Sequence, residues 1–157
     1  MATTSDVMTL LDEAGVEYQV LPHERTERAV EEARALGVSP GEVAKTLLVS
    51  TSEGYVRAVI PAPDRLDLRK VRDVLGSSKK QTHLATEEAL ARDYPEFELG
   101  AVPPFGGARR DPVLVDRRVA ERELVVLEAG SHVQSVRIKT ADLLRLTEGK
   151  VVDICQD

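Results

Sequence analysis

Two runs of β-forming residues, TLLVS at 46–50 and YVRAVI at 55–60, lie on either side of Gly54. A gap that short closes as a hairpin, so the centre of the chain is committed to an antiparallel pair. Pro61 and Pro63 then end the second run. Around this hairpin the hydrophobic period switches repeatedly between that of a helix and that of a strand. Val7, Leu10, Leu11 and Ala14 fall at helical spacing behind a cap at Thr4 or Ser5, with Gly15 as the stop. VEYQVL reads as a strand. A helix is then expected to open at Thr26, placing Ala29, Val30, Ala33 and Leu36 on one face and Gly37 past its end. Ser39-Pro40-Gly41-Glu42 has the form of a capping box. Asp67 caps a helix closed by Gly76, and Thr86 caps another that stops before Pro95. The tail reads VLVD, ELVVLEA and VRIK as strands, a helix from Thr140, and VVDI as a last strand. Tight turns between several strands in an otherwise alternating order imply a mixed sheet.

The length suits one domain over residues 1–157, and the balance of 42% hydrophobic to 31% charged residues is that of a globular chain. A single cysteine, Cys155, excludes a disulfide framework and any CxxC site, and fits a reducing cytoplasm. No apolar run is long enough to span a bilayer, and the first residues lack the pattern of a signal peptide. The net charge of -6 argues against bulk attraction to nucleic acid, DNA included. One stretch differs: between Arg57 and Lys80 seven bases face three acids, which is either a solvated face or an anion-binding surface.

Several chemistries are absent. SPGEVAKT lacks both glycines of a phosphate-binding loop, and no GxSxG or HExxH occurs. The histidines at 23, 83 and 132 have no metal-ligand spacing, so neither a metal nor another cofactor is expected. Five aromatic residues are too few for a base-stacking platform.

The one long irregular stretch runs from about Pro95 to Pro112 and contains GAVPPFGG at 100–107. Pro103 and Pro104 fix the backbone, while Gly100, Gly106 and Gly107 allow close approach. Such a loop is either a surface connection or a presenter of backbone amides to a carboxylate, phosphate or oxyanion. Lys45, with apolar neighbours on both sides in VAKTLLV, is either a snorkelling lysine or an anion ligand. His132, after Gly130-Ser131, is open to readings as donor, general base or turn residue, and His23 after Pro22 is equally open. Asp116 at the end of VLVD is either turn-forming or catalytic.

Their order along the chain adds a further signal. His23 and Thr26, then GEVAKTLLV, a glycine hairpin into AVIPAPDRLDLRKVRDVLG, GAVPPFG, VLVD, EAGSH and a final DLLRL together resemble the YbaK family, also called the prolyl-tRNA synthetase associated or editing domain. The resemblance covers roughly residues 16–154, and its most specific parts are Lys45 and a GxxxP loop at Gly100 and Pro104. It implies an α+β fold with a curled, mixed, largely antiparallel sheet, helices packed outside and a pocket at one end. It also implies a freestanding hydrolase that removes a small amino acid such as Ala, Ser, Thr or Cys from mischarged tRNA, often tRNA(Pro), with a group of the substrate itself activating water. By the same resemblance Lys45 holds the acceptor end and the Gly100 to Pro104 loop lines the aminoacyl pocket. Pro103, Pro104 and Phe105 would form its wall, with Asp116, His132, His23 and Thr26 as polar pocket positions. The implied partners are tRNA and an aminoacyl-tRNA synthetase. Glu128 departs from the pattern, because many relatives carry a small or amide residue before AGSH. Two other readings remain open: a catalytically silent tRNA-acceptor or synthetase-binding module of the same fold, and an enzyme acting on small amino acid esters or amides.

Overall fold

The computed structural model describes residues 4–26, 28–78 and 80–157. The chain begins with α1 (Thr4–Glu13), β1 (Tyr18–Pro22) and α2 (Ala29–Leu36), then a 3-10 turn (Pro40–Glu42) and the hairpin of β2 (Val43–Thr51) and β3 (Gly54–Pro61). It continues through α3 (Leu68–Leu75), β4 (His83–Leu84) and α4 (Glu87–Asp93) into the irregular loop. β5 (Val113–Asp116), α5 (Arg117–Ala120), β6 (Leu124–Ser131), β7 (Gln134–Lys139), α6 (Thr140–Thr147) and β8 (Lys150–Val152) complete it. The strands form one open sheet in the order β1-β7-β6-β2-β3-β5-β8, with β4 also beside β2. β2 is antiparallel to β3 and parallel to β6, and β5 is parallel to both β3 and β8, so the sheet is mixed.

Strand alternation sorts side chains onto two faces. Ala44, Leu48, Val59, Val113, Val115 and Leu127 pack with Val7 and Leu11 of α1, Leu143 of α6, and Tyr94, Phe97, Val102 and Phe105 of the loop. On the opposite face Val49, Ala58, Ile60 and Leu114 pack with Val71 of α3 and with Ile154 and Cys155. Val43 and Val126 meet Ala29 and Ala33 of α2 in a separate cluster. Lys45 shares its face with Val43 and Val49, so it falls where the α2 cluster gives way to the α3 cluster. No helix among the described residues is long and apolar enough to cross a membrane.

Asp67 and Thr86 accept backbone N–H bonds at the starts of α3 and α4, and Gly37 and Gly76 close α2 and α3 in the left-handed conformation. Two expectations need correction. α2 begins at Ala29 rather than Thr26, because the Thr26 N–H is held by the His132 carbonyl and residues 23–26 follow β7's turn instead of coiling. Ser39 makes no capping bond, and Glu42 lies 3.8 Å from the Arg137 guanidinium instead of reaching back. Two short elements, β4 and α5, are not legible in the hydrophobic period, being two and four residues long. The expected cap at Thr4 or Ser5 lies outside the described side chains.

Candidate active site

β2 lies between two partners that do not meet. The β6 ladder stops at Ala44↔Leu127 and the β4 ladder begins at Val49↔Leu84, with the Ala85 N–H donating to the Leu48 carbonyl, leaving residues 45–47 in an open fork. A cavity of about 510 Å³ fills this fork. Lys45 and Thr46 of β2, Asp64 and Arg65 after β3, Glu128 of β6 and Arg28 before α2 are its polar lining. Leu84, Leu90 and Val102 are among its apolar walls, and Gly100 closes one side.

Gly100 has φ of +83°, open to glycine without strain, and is held there by its surroundings. The Glu98 N–H donates to the Gly130 carbonyl at 2.9 Å, and the Ala101 N–H donates back to the Glu98 carbonyl. The imidazole of His132, only 2% exposed, lies beneath the turn with Nε2 2.6 Å from the Leu99 carbonyl. A carbonyl only accepts, so Nε2 carries the proton, and Nδ1 faces the Glu128 carboxylate at 3.4 Å. The ladder between β6 and β7 shifts register between Glu128 and Ser131, a bulge that bends β6 beside the loop it supports. No hydrogen bond among the described residues uses the Gly100 amide.

A different residue fixes the far half of the loop. Arg57, 1% exposed on β3, pairs with Asp111 at 3.0 Å and donates to the carbonyls of Pro103, Gly106 and Arg109 at 3.0–3.1 Å. Tyr94 donates to Asp111 at 2.6 Å and lies against the Arg57 guanidinium. Burial and the Asp111 bond push the Tyr94 phenol well above its ordinary pKa, so it stays a donor. Arg57 therefore belongs to the loop's scaffold, not to an anion-binding surface. Lys70, from the same basic stretch, is held by Asp153, Asp157 and the Cys155 carbonyl.

The electrostatics of the cavity differ between its ends. Burial lowers the Lys45 pKa from the ordinary lysine value, with Asp64 and Cys155 drawing it back up and Arg65 opposing them. The charges acting on Lys45 thus come chiefly from the end of β3, whereas Glu128 adjoins His132. Thr46 Oγ1 is buried with no partner among the described residues. No group of three or more His, Cys, Asp or Glu is placed to hold a metal ion among the described residues.

Of the residues singled out in the sequence, Lys45 and Gly100 line this one cavity. His132 lies behind it, supporting the turn that carries Gly100, with Nδ1 3.4 Å from the Glu128 carboxylate. Pro104 and Phe105 line a different cavity, with Arg109, Arg110 and Lys150. Pro103 is buried and gives its carbonyl to Arg57. Asp116 caps α5 and accepts from the Ile154 and Arg118 amides, away from the cavity lining. His23 bonds the Ser135 hydroxyl, which bonds the buried Glu32, and Thr26 is tied to His132 through its backbone. The residues missed were Thr46, Asp64 and Val102 in the cavity and Arg57 behind the loop. A lone arginine inside the apolar run YVRAVI was the available signal for Arg57.

A sequence model described as an aminoacyl-tRNA editing domain matches residues 23–146. The chain is 28% identical to a candidate Cys-tRNA(Pro)/Cys-tRNA(Cys) deacylase, EbsC of Enterococcus faecalis, over 78% of this chain and 73% of that one. It is 24% identical to the multifunctional Ser/Thr-tRNA deacylase ProXp-y of Escherichia coli, over 96% of this chain and 92% of the relative. Among solved structures, a candidate trans-editing enzyme for prolyl tRNA synthetase superposes with a TM-score of 0.85 at 26% identity, covering 98% and 97% of the two chains. With that match spanning most of its length, and the fold shared throughout, the chain belongs to the aminoacyl-tRNA editing domain family.

Proposed function

We propose that this protein hydrolyses the ester of mischarged aminoacyl-tRNA in trans, releasing a small amino acid such as Ala, Ser, Thr or Cys, with tRNA(Pro) as the expected carrier and a synthetase as the expected companion. The observation that carries this reading is that Lys45 and Gly100 line a single cavity of about 510 Å³, a size suited to one small ligand group. The Lys45 ammonium pairs with a phosphate near the RNA end. The Gly100 amide faces the ester carbonyl, and Val102, Leu84 and Leu90 limit the side chain that enters. Water adds to the carbonyl carbon, and the negative oxygen of the tetrahedral intermediate takes the Gly100 hydrogen bond. The bond to the ribose oxygen then breaks, and that oxygen leaves with the proton given up by the water, so free amino acid and tRNA result. A neighbouring ribose hydroxyl or the substrate's own side chain relays the proton.

Walls of this kind distinguish side chains by only about 1–3 kcal/mol per methylene, which suits a site that removes errors left by another site of the same limitation. The test is a panel of tRNAs charged with labelled Ala, Ser, Thr, Cys or Pro, incubated with pure protein. Release of at least one small amino acid, with Pro-tRNA(Pro) spared, is expected; release of none of Ala, Ser, Thr and Cys overturns the reading.

A further inference from the structure

The start of α2 supplies three residues of the cavity lining, Arg28 at the N-cap position and Ala29 and Val30 behind it. The helix is eight residues long, and the Arg28 side chain makes no capping bond. Ala29 and Ala33 pack on Val43 and Val126, a contact without direction. The directional tie is polar and buried. Glu32, 0% exposed, bonds the Ser135 hydroxyl of β7, and Ser135, also 0% exposed, lies 3.0 Å from Nε2 of His23, just past β1.

The number of hydrogens fixes the state of this chain of groups. His23 Nδ1 lies 2.6 Å from the Glu24 carbonyl, which only accepts, so Nδ1 carries a proton. The links from Nε2 to Oγ and from Oγ to the Glu32 carboxyl need two hydrogens, and the Ser135 hydroxyl supplies one. The other sits on Glu32 or on His23 Nε2. The second choice makes Glu32 a carboxylate whose other oxygen, Oε1, is buried with no hydrogen-bond partner among the described residues. An unpaired anionic oxygen in a dry site is costly, whereas in the acid Oε1 is only a carbonyl oxygen. Burial accordingly pushes the Glu32 pKa up, against smaller downward pulls from Ser135, His23 and His132. Of the other charged groups around α2, Glu31 and Arg34 are exposed and Lys45 lines the cavity. Glu42 lies 3.8 Å from Arg137 of β7.

We propose that Glu32 is an uncharged acid at neutral pH and, donating through Ser135 to His23, is the positioning residue that holds the start of α2 as a wall of the cavity. The role in activity rests on the deacylase reading above; the charge state does not.

The first experiment compares urea melts of the wild type and Glu32→Gln from about pH 4 to about pH 8, so that the other titrating groups cancel in the difference. A raised carboxyl pKa means that the folded protein keeps a proton the unfolded chain has already released. The wild type is therefore expected to lose stability relative to Glu32→Gln as pH rises from the ordinary glutamate value of about 4.3 to the raised one, with a level difference above it. A difference that moves in favour of the wild type over that range means a carboxylate facing a charged His23 and overturns the proposal, as does a difference that never changes.

The second experiment measures deacylation of a small mischarged aminoacyl-tRNA at neutral pH. Glu32→Ala and Ser135→Ala are each expected to raise KM about two- to tenfold, the loss of one net hydrogen bond. kcat should stay close to wild type, because residues 28–30 line the cavity without meeting the reacting carbonyl. Glu32→Gln, whose amide N–H replaces the acid proton, is expected to restore KM. Unchanged KM in both alanine variants, a loss confined to kcat, or a glutamine variant no better than alanine overturns the positioning role and leaves the deacylase reading intact. A wild type that deacylates nothing overturns that reading and the positioning role with it, while the melts still decide the charge on Glu32.

Discussion

Lys45 and Asp116 are both charged groups next to strands, and they differ in whether the fold has already satisfied them. Lys45 has its pKa held down because burial strips water from the ammonium, and Asp64 restores only part of the loss. An ammonium stripped of water in this way pairs readily with a phosphate oxygen. Lys45→Ala is expected to stay folded and to lower deacylation kcat/KM at least about tenfold, from losing a contact worth roughly 1.5–3 kcal/mol. Unchanged turnover would remove Lys45 from the site. For Asp116 burial alone would raise the pKa, but the Ile154 and Arg118 amides, the Cys155 thiol and the Arg118 charge outweigh it, and the carboxyl sits below its ordinary value. The same burial, with the Asp116 charge beside it, pushes the Cys155 thiol up to about 12. A depressed carboxyl pKa stabilises the fold above the ordinary aspartate value of about 3.9, and that stability is lost as pH falls through the lower folded-state value. Asp116→Ala should therefore cost about 1–3 kcal/mol in urea melts at neutral pH. The gap to wild type should narrow once the pH drops below the ordinary aspartate value, and a gap that persists undiminished into strong acid would contradict the assignment. Sequence placed both residues at strand positions. Only the packed neighbours distinguish a ligand from a clamp.

At the scale of elements the loop between α4 and β5 carries the argument. Its glycines and prolines were legible as a stiff stretch, either a surface connection or a presenter of backbone amides. Its division into two halves was not, because the division is made by His132 and Gly130 at one end and by Arg57 and Asp111 at the other. Two glycines test it. Gly100 and Gly107 both have positive φ, of +83° and +82°. A Cβ at Gly100 meets nothing closer than His132 at 3.6 Å, whereas at Gly107 it would lie 2.7 Å from the buried Phe97 ring. Gly100→Ala should cost about 1–2 kcal/mol from the backbone alone and remain folded. Gly107→Ala adds the overlap with Phe97 and should melt at a lower temperature than Gly100→Ala; the opposite order in thermal denaturation would contradict this account of the loop.

For the whole molecule the relevant quantity is how few cations are free to meet RNA. The net charge is -6, and of the basic stretch at 57–80, Arg57 is buried and Lys70 is engaged; on the proposed reading the cations that meet RNA are those lining the cavity, Lys45, Arg65 and Arg28. Each phosphate neutralised contributes about 0.7–0.9 to the slope of log affinity against log salt. A slope of about three or less is expected in tRNA binding titrations across salt concentrations, and one near ten would mean a much larger footprint. Hydrophobic period, turn residues and caps were sufficient for a mixed sheet, because these depend on contacts between near neighbours in the chain, whereas the helices outside and the choice of Lys45 and the loop as a site came from the resemblance in the order of motifs. The fork between β6 and β4, the support of Gly100 by His132, the burial of Arg57 and the presence of Glu128 in the cavity join residues tens of positions apart. Local pattern carries no record of which strands part and which charges then face each other, so these were decided only when the sheet closed around them.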